Sequence, residues 1–593
     1  MTRKSNYDKL PCVSAPAGEE AVAVGWLRIG ERLLRVIAER GRPKTTLVVE
    51  CYPGVDEAEV LRQFTALLAP ALALRACDAM LPPDCIDRLV EPFLGGEDPV
   101  FGRLSDLNLS QFFDSEKLAG LRRRMETSPP GLIVVVGCGA RLVVNGDILV
   151  YADLARREAE LRFRRNEASN LGVENRTLEA GLQYKRAFFV DWRVCDRWKR
   201  PLIAQWDFVL DTHDARAPKL AEGEEVRCTL RAAARRPFRV VPFFDPAPWG
   251  GQWMKEVCDL DRSVSNYGWG FDCVPEENSL LLEFGGLRFE VPSLDLVFHQ
   301  PRALLGEAVH ARFGDEFPIR FDFLDTMAGG NLSFQVHPLT EYIQRHFGMH
   351  YTQDESYYLL DAADDGCVYL GLRDGVQPEA MIRELEGAQA GGSPFEVNRY
   401  ANCWPARKHD HFLIPAGTVH CSGHNSMVLE ISATPYIFTF KLWDWGRPGL
   451  DGQPRPIHLN HGVANIQWNR TTGWVRENLI NRVVPIAQGD GWREERTGLH
   501  ELEFIETRRH WFTRTVPHEG GESVNVLNLV EGEEALVESP DGAFEPFVVH
   551  YAETFIVPAA AGPFTLRPHG RSAGGECATI KASVRLEPGK EFS

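Results

Sequence analysis

Part-way along this 593-residue chain the hydrophobic pattern changes period, and that change restricts the possible folds more than any other feature. From about residue 20 to 210, apolar strand-like runs alternate with helical patterns: Thr46-Leu-Val-Val-Glu50, the amphipathic stretch Glu57 to Leu68, Leu132-Ile-Val-Val-Val136, and Ile148-Leu-Val-Tyr-Ala152 ahead of the charged helix Leu154 to Asn166. Strand and helix in alternation predict an α/β layer around a mainly parallel sheet. After about residue 236 the texture becomes short period-two runs bounded by Gly, Pro, Asp and Asn: Arg288 to Pro292, Pro318 to Leu324, Leu332 to His337, Tyr357 to Ala362, Cys367 to Leu372, His411 to Pro415, Val428 to Ser432 and Phe438 to Trp443. Such runs predict sandwich or jelly-roll barrels. Helical inserts are expected at Leu339 to Phe347 and Pro378 to Glu386, and the strand pattern resumes beyond residue 500. The length allows three domains or more. We therefore expect a multidomain chain, an N-terminal α/β domain over 1–235 followed by all-β barrels over 236–490 and 491–593, with the polar, charged stretch from Asp211 to Arg236 as a domain junction.

The first domain has no intact phosphate loop. Gly54 stands where one would follow the first strand, but Cys51-Tyr-Pro-Gly-Val-Asp-Glu lacks Gly-Lys-Ser/Thr and carries Asp56, Glu57 and Glu59. Those carboxylates repel a nucleotide phosphate. Asp153 and the arginines of the next helix (Arg156, Arg157, Arg162, Arg164, Arg165) loosely resemble the lid region of small-molecule P-loop kinases. The resemblance implies a degenerate, kinase-like domain; the alternative is an α/β domain whose basic helix is a solvated face.

Charge excludes some partners. With 83 acidic against 65 basic residues the net charge is -18, which argues against nucleic acid or an anionic membrane as the general partner. An anionic substrate must meet a local basic pocket. The thirteen cysteines form no Cys-x-x-Cys pair and read as reduced core thiols, the N-terminus has no apolar signal core, and the apolar run Thr65 to Leu74 is cut short by Arg75. Together these place the chain in the cytoplasm.

Four metal ligands fall within about a hundred residues, on strands and strand ends: Gln335 and His337 in Ser-Phe-Gln-Val-His-Pro, Glu355 in Gln-Asp-Glu-Ser-Tyr-Tyr, and His420 in Ala-Gly-Thr-Val-His. Gln335 and His337 are two apart, so on a strand both leave the same face. One carboxylate, two imidazoles and an amide oxygen suit Zn²⁺ or another first-row divalent ion, one per chain. His346, His350, His409, His411 and His424 lie nearby, with His350 the main alternative ligand.

From about residue 242 onward the chain resembles the class I, cupin-type mannose-6-phosphate isomerases (phosphomannose isomerases). The resemblance rests on Pro248-Trp-Gly-Gly, Leu332-Ser-Phe-Gln-Val-His-Pro, Glu355-Ser-Tyr-Tyr-Leu-Leu-Asp-Ala, Ile414-Pro-Ala-Gly-Thr-Val-His and Phe440-Lys-Leu-Trp-Asp-Trp-Gly-Arg, in that order. It implies that Gln335, His337, Glu355 and His420 hold zinc. It also implies an aldose–ketose isomerase for sugar phosphates, interconverting mannose 6-phosphate and fructose 6-phosphate through an enediol. Lys441, Asp444 and Arg447 are then the catalytic and phosphate-binding candidates. Two positions depart from the family: Gln353 replaces a Lys, and Lys441 replaces an Arg whose planar fork grips anions at two points. These departures leave open a metal-containing sugar or sugar-phosphate binding protein without isomerase activity, or an isomerase or epimerase for another sugar.

Overall fold

A computed structural model describes residues 5–433, 436–453, 455–498 and 500–586. The ends of the first and third expected domains, 1–4 and 587–593, lie outside the described residues. The chain divides into two compact units: one of residues 12–233 and 276–300, the other of residues 1–11, 234–275 and 301–593.

The first unit is built on a seven-stranded sheet. Its strands are β1 (Val22–Val24), β2 (Lys44–Cys51), β3 (Leu72–Arg75), β4 (Gly131–Gly137), β5 (Ile148–Asp153), β6 (Phe208–Asp211) and β7 (Lys219–Glu222), in the order β1-β7-β6-β5-β2-β4-β3. Pairings from β6 through β3 are parallel, while β7 and β1 run antiparallel at the edge. Parallel strands are covered on both faces, which is why Leu47, Val48, Val49, Val134, Val135 and Val150 form continuous buried runs. Helix α1 (Glu57–Leu68) follows β2 and is capped by Asp56, whose side chain accepts the Glu59 N–H. Helix α2 (Ser115–Thr127) is capped by Asp114 in the same way.

Three expectations change here. The stretch from Asp211 to Arg236 is no junction: it holds β7 and an amphipathic helix, Gly223–Ala233, that buries Val226, Leu230 and Ala233. Its charge belongs to the solvent face, where Glu224 pairs with Arg227 and Arg231. Secondly, the boundary expected at 235 falls within two residues of a unit edge at 233, but the first unit also takes in residues 276–300. The hairpin Ser279–Phe284 and Leu287–Pro292 groups with the α/β unit, pairing in parallel with Cys12–Ser14, while Asp211 accepts the Glu290 N–H. Thirdly, the arginine helix, α3 (Arg156–Arg164), is not a solvated face. Arg156 and Arg162 are buried, the first paired with Asp196 and the second with Glu158, and Arg157 and Arg164 pair with Glu160.

The second unit contains two pairs of sheets. In the first pair a six-stranded sheet has the order β15 (His411–Ile414), β12 (Glu355–Ala362), β17 (Ser426–Ser432), β10 (Arg320–Asp325), β9 (Trp269–Cys273), β8 (Phe243–Asp245). Its companion runs β14 (Ala401–Pro405), β13 (Cys367–Leu372), β16 (His420–Ser422), β11 (Phe334–Val336), β18 (Phe440–Trp443). All these pairings are antiparallel. Helices at Thr340–Phe347 and Pro378–Gln389 are the expected inserts. Near the C-terminus a six-stranded sheet, β19 (Val484–Gly489), β20 (Trp492–Gly498), β21 (Ile505–Phe512), β28 (Cys577–Val584), β23 (Asn525–Glu531), β26 (Thr554–Val557), accompanies a four-stranded one, β22 (Val516–His518), β27 (Phe564–Pro568), β24 (Glu534–Glu538), β25 (Phe547–His550). Both contribute to one apolar cluster that includes Leu527, Leu529, Val537, Val549, Phe555 and Leu566.

All thirteen cysteines are free. Among the described residues no helix is long and apolar enough to cross a membrane.

Candidate metal centre

The two sheets of the first pair meet at His337, Glu355 and His420. His337 directly follows β11, Glu355 opens β12 in the opposite sheet, and His420 opens β16. The β11–β16 ladder sets Gln335 opposite His420 and the β11–β18 ladder sets it opposite Lys441, so all three share a face. His337 Nε2 lies 3.0 Å from Glu355 Oε2, and His420 Nε2 lies 2.9 Å from Glu355 Oε1. The Gln335 amide is 3.2 Å from His420 Nε2. Their side chains are buried, His420 and Glu355 completely.

The outer nitrogens settle which ring atoms face inward. His337 Nδ1 donates to the Phe438 carbonyl at 2.9 Å and His420 Nδ1 to the Thr418 carbonyl at 2.8 Å. A carbonyl only accepts, so each Nδ1 carries hydrogen and, in the neutral rings, each Nε2 directs a lone pair at the carboxylate. Lone pairs 3 Å from carboxylate oxygens repel. His337 Nε2 and Glu355 Oε1 are buried without a hydrogen-bond partner, and a shared cation relieves both. The donor set of two imidazoles, one carboxylate and the Gln335 amide, which can turn its oxygen inward, fits a first-row divalent metal. Among the described residues these three side chains are the one group of His, Cys, Asp or Glu whose ligand atoms lie close enough together to hold an ion.

Without a metal, a proton on His337 Nε2 can take the place of the shared cation. Burial works toward protonating Glu355, yet the two imidazoles hold it well below the usual carboxylate range. Burial disfavours the charged form of both rings; Glu355 outweighs this at His337 and raises its pKa, whereas burial prevails at His420 and lowers it.

Gln353 has a place that the sequence did not reveal. Its amide nitrogen donates to Glu355 Oε2 at 3.0 Å, and its oxygen accepts the Phe438 N–H at 3.0 Å. The residue read as a lost charge therefore holds the carboxylate ligand, and it does so between two segments that also hold His337.

Along the same sheet lies a cationic cluster. Lys441 projects beside Gln335, and its pKa is pushed down to about 7 by burial and then by Arg455. Asp444 accepts from Arg447 at 2.7 Å, from Arg455 at 2.7 Å and from Ser333 at 3.0 Å. Arg455 was not among the sequence candidates; it sits in a loop without periodicity, so no pattern marked it. Of the other histidines, His350 is exposed and outside the cluster, His409 pairs with Glu531, and His424 faces Asn331 and Asp365. Lys408 also pairs with Glu531, at 2.6 Å.

Residues 25–235 match the model of a family described as a domain of unknown function, DUF8485. The chain is 26% identical over 227 residues to the mannose-6-phosphate isomerase ManA of Bacillus subtilis, a match covering 38% of this chain and 66% of that protein. It is 26% identical over 245 residues to the mannose-6-phosphate isomerase of Streptococcus mutans, covering 40% and 72%. Over a segment, the relatives point to the cupin-type mannose-6-phosphate isomerase family. A third relative, the probable mannose-6-phosphate isomerase GmuF of Bacillus subtilis, is 30% identical over 153 residues, 26% of this chain and 45% of its own. The chain thus spans from under half to about seven-tenths of the length of these three relatives. The crystal structure of the Bacillus subtilis mannose 6-phosphate isomerase aligns with a TM-score of 0.47 and 17% identity, over 58% of this chain and 99% of that one.

Proposed function

We propose that the second unit is a metal-dependent aldose–ketose isomerase of sugar phosphates, with mannose 6-phosphate and fructose 6-phosphate as the leading substrate pair. The observation that carries this reading is the pair of imidazole lone pairs aimed at one buried carboxylate, an arrangement that asks for a cation. His337, Glu355, His420 and the Gln335 amide would hold it, one Zn²⁺ or similar ion per chain. A divalent ion bound there would act as a Lewis acid beside a carbonyl oxygen on which negative charge develops, an effect on the order of several kcal/mol.

The chain's own residues supply the rest. Aldose–ketose conversion moves a proton between adjacent carbons through an enediol, so it needs a proton carrier and a grip on the phosphate. Lys441 fits the first need, because its pKa of about 7 lets it lose and regain a proton near neutral pH. Arg447 is tied to Asp444 and is a fixed charge for the anion. Asp444 itself, engaged by two arginines, positions them. A barrel of cupin type and a cytoplasmic location belong to the same reading.

Gln353 supports a second reading, in which the metal is kept and catalysis lost: both ends of its amide are already engaged, and an amide carries no transferable proton. One experiment separates the two. Purified protein is analysed for metal and assayed in both directions on the two sugar phosphates in deuterated water. Bound metal with turnover and deuterium incorporation at carbon supports the isomerase; bound metal without exchange on any sugar supports the binding protein.

A further inference from the structure

The α/β unit contains a cavity of 370 Å³ that the metal centre does not use. Its place follows from the strand order. From β2 the chain crosses to β3 on one side of the sheet, and from β4 it crosses to β5 on the other, so β2 and β4 are neighbours whose connections leave in opposite directions. A crevice opens at the carboxyl ends of two such strands, and ligands of open parallel sheets bind there. Tyr52, directly after β2, and Cys138, directly after β4, both line the cavity, and Arg75 at the end of β3 joins them.

The chemistry of the walls narrows the ligand. In an open α/β site of this kind, free backbone N–H groups on the loops after the strands grip a phosphate. On the loop after β4 they are already taken by the chain's own carboxylates: Glu57 accepts the Cys138 N–H at 2.7 Å, and Glu50 accepts those of Gly139 at 2.6 Å and Arg141 at 2.8 Å. Asp56 and Glu57 also stand at the start of α1. A nucleoside triphosphate is repelled on that side.

The same lining carries cations. Arg75 comes from β3 and Lys117 from α2, and neither forms an ion pair with any carboxylate among the described residues. The Lys117 ammonium donates only to the Met80 carbonyl, at 2.8 Å. The lining also includes Glu167, Glu174 and Arg176, the last paired with Glu174, so Arg75 and Lys117 are the lining cations left outside an ion pair and available to an anion.

We propose that this cavity binds a small hydroxylated anion, with Arg75 and Lys117 taking its negative group and Asp56 and Glu57 accepting from its hydroxyls. A sugar phosphate and a sugar acid share that chemistry. The volume suits a ligand of this size. The site is separate from the metal centre and does not depend on the function proposed for it.

Cys77 lines the same cavity and reports its occupancy. In the full-length protein, the rate of Cys77 alkylation by iodoacetamide is followed by mass spectrometry, with exposed Cys403 as internal reference. Glucose 6-phosphate, gluconate, glucose, inorganic phosphate and Mg²⁺–ATP are the probes. At about four times its Kd a ligand slows Cys77 about fivefold. We expect this from glucose 6-phosphate, from gluconate or from both, with much less from glucose, phosphate or Mg²⁺–ATP. Protection by one alone identifies a phosphate ester or a carboxylate as the anionic group. Arg75→Gln and Lys117→Gln, read separately, must each weaken it, whereas Arg62→Gln, paired with Glu59 outside the cavity, must not. Calorimetric titration with the same compounds must show the matching loss of one binding event in each of the two cavity variants. The proposal fails if neither hydroxylated anion protects or binds, if protection is unchanged in either cavity variant, or if Mg²⁺–ATP protects more strongly than either.

Discussion

The two sheet pairs of the second unit are built alike, six strands against a smaller antiparallel sheet, and differ in what they turn inward. The pair that meets at Glu355 buries an amide, two imidazoles and a carboxylate, and almost every one is held from behind: His337 by Phe438, His420 by Thr418, Glu355 by Gln353. The C-terminal pair fills the corresponding space with Leu527, Leu529, Val537, Val549, Phe555 and Leu566. Buried polar groups cost free energy unless partnered, whereas buried aliphatic groups contribute it. One architecture therefore supports a site at one end and stability at the other, and the inward residues decide which.

The strongest way to break this contrast is Glu355→Ala. It leaves two imidazoles facing each other without their shared carboxylate, and the expected outcome is loss of stoichiometric metal and a fall in any isomerase turnover of about a thousandfold or more. Metal analysis and the coupled assay check it. The matching change in the apolar pair is Leu529→Ala, completely buried in the cluster. It should cost about 2–5 kcal/mol in urea unfolding while leaving metal content unchanged. If Leu529→Ala empties the metal site in folded protein, the two sheet pairs do not divide site and stability between them.

Much of this was legible in the sequence, for definite reasons. Helix Glu57–Leu68 and strand Cys367–Leu372 appear as expected, because period and end signals agreed. The triad was legible because its members are chemically unusual together and Gln335 and His337 share a strand face. Gln353 and Arg455 were not. Each joins a nearby carboxylate to a residue far along the chain, Gln353 to Phe438 across 85 positions and Arg455 to Ser333 across 122, and nothing local encodes such a pairing. The segment from Asp211 to Arg236 misled for a different reason: a helix that buries one stripe shows mostly its charged face in composition, so the stripe Val226, Leu230, Ala233 was outweighed by its neighbours. The hairpin after residue 276 reads as β in either unit, and only its pairing with Cys12–Ser14 assigns it.

A finer change sharpens the role of the supports. Gln353→Ala removes the donor to Glu355 Oε2 and the acceptor for the Phe438 N–H, and outer contacts of this kind are worth about 10–100-fold in metal affinity. Chelator competition measures it. Gln353→Lys keeps a donor to Glu355 and adds a titratable amine where the family pattern has one, so it should retain metal better than Gln353→Ala. If it also raises turnover, the wild-type amide limits catalysis; if both variants bind metal like the wild type, Gln353 does not position Glu355.

The smallest effect tests the apolar pair at its one polar edge. Glu494 on β20 accepts from Arg508 at 3.0 Å and lies 3.3 Å from His510 on β21, with His518 on β22 against the His510 ring and Lys581 on β28 close by. Burial works to raise the Glu494 pKa, and His510 and Arg508 outweigh it, bringing the group down to about 2. Burial drives His510 down to about 4 and His518 well below its ordinary value. Both kinds of shift make the unfolded chain bind protons more readily, but in different windows. The histidines contribute stability that is lost as pH falls from about 6.5, whereas Glu494 contributes stability present above about 4.3 and lost as pH falls toward 2. Glu494→Gln should therefore lower stability at neutral pH by about 1 kcal/mol and flatten the acid limb below about pH 4.3, while the upper limb becomes no shallower, because Glu494 raises the His510 pKa against burial. Urea midpoints across pH read this directly. An upper limb that flattens as well would mean that burial does not set the histidine shifts, and the C-terminal pair would then resemble the pair that meets at Glu355 more than its apolar filling suggests.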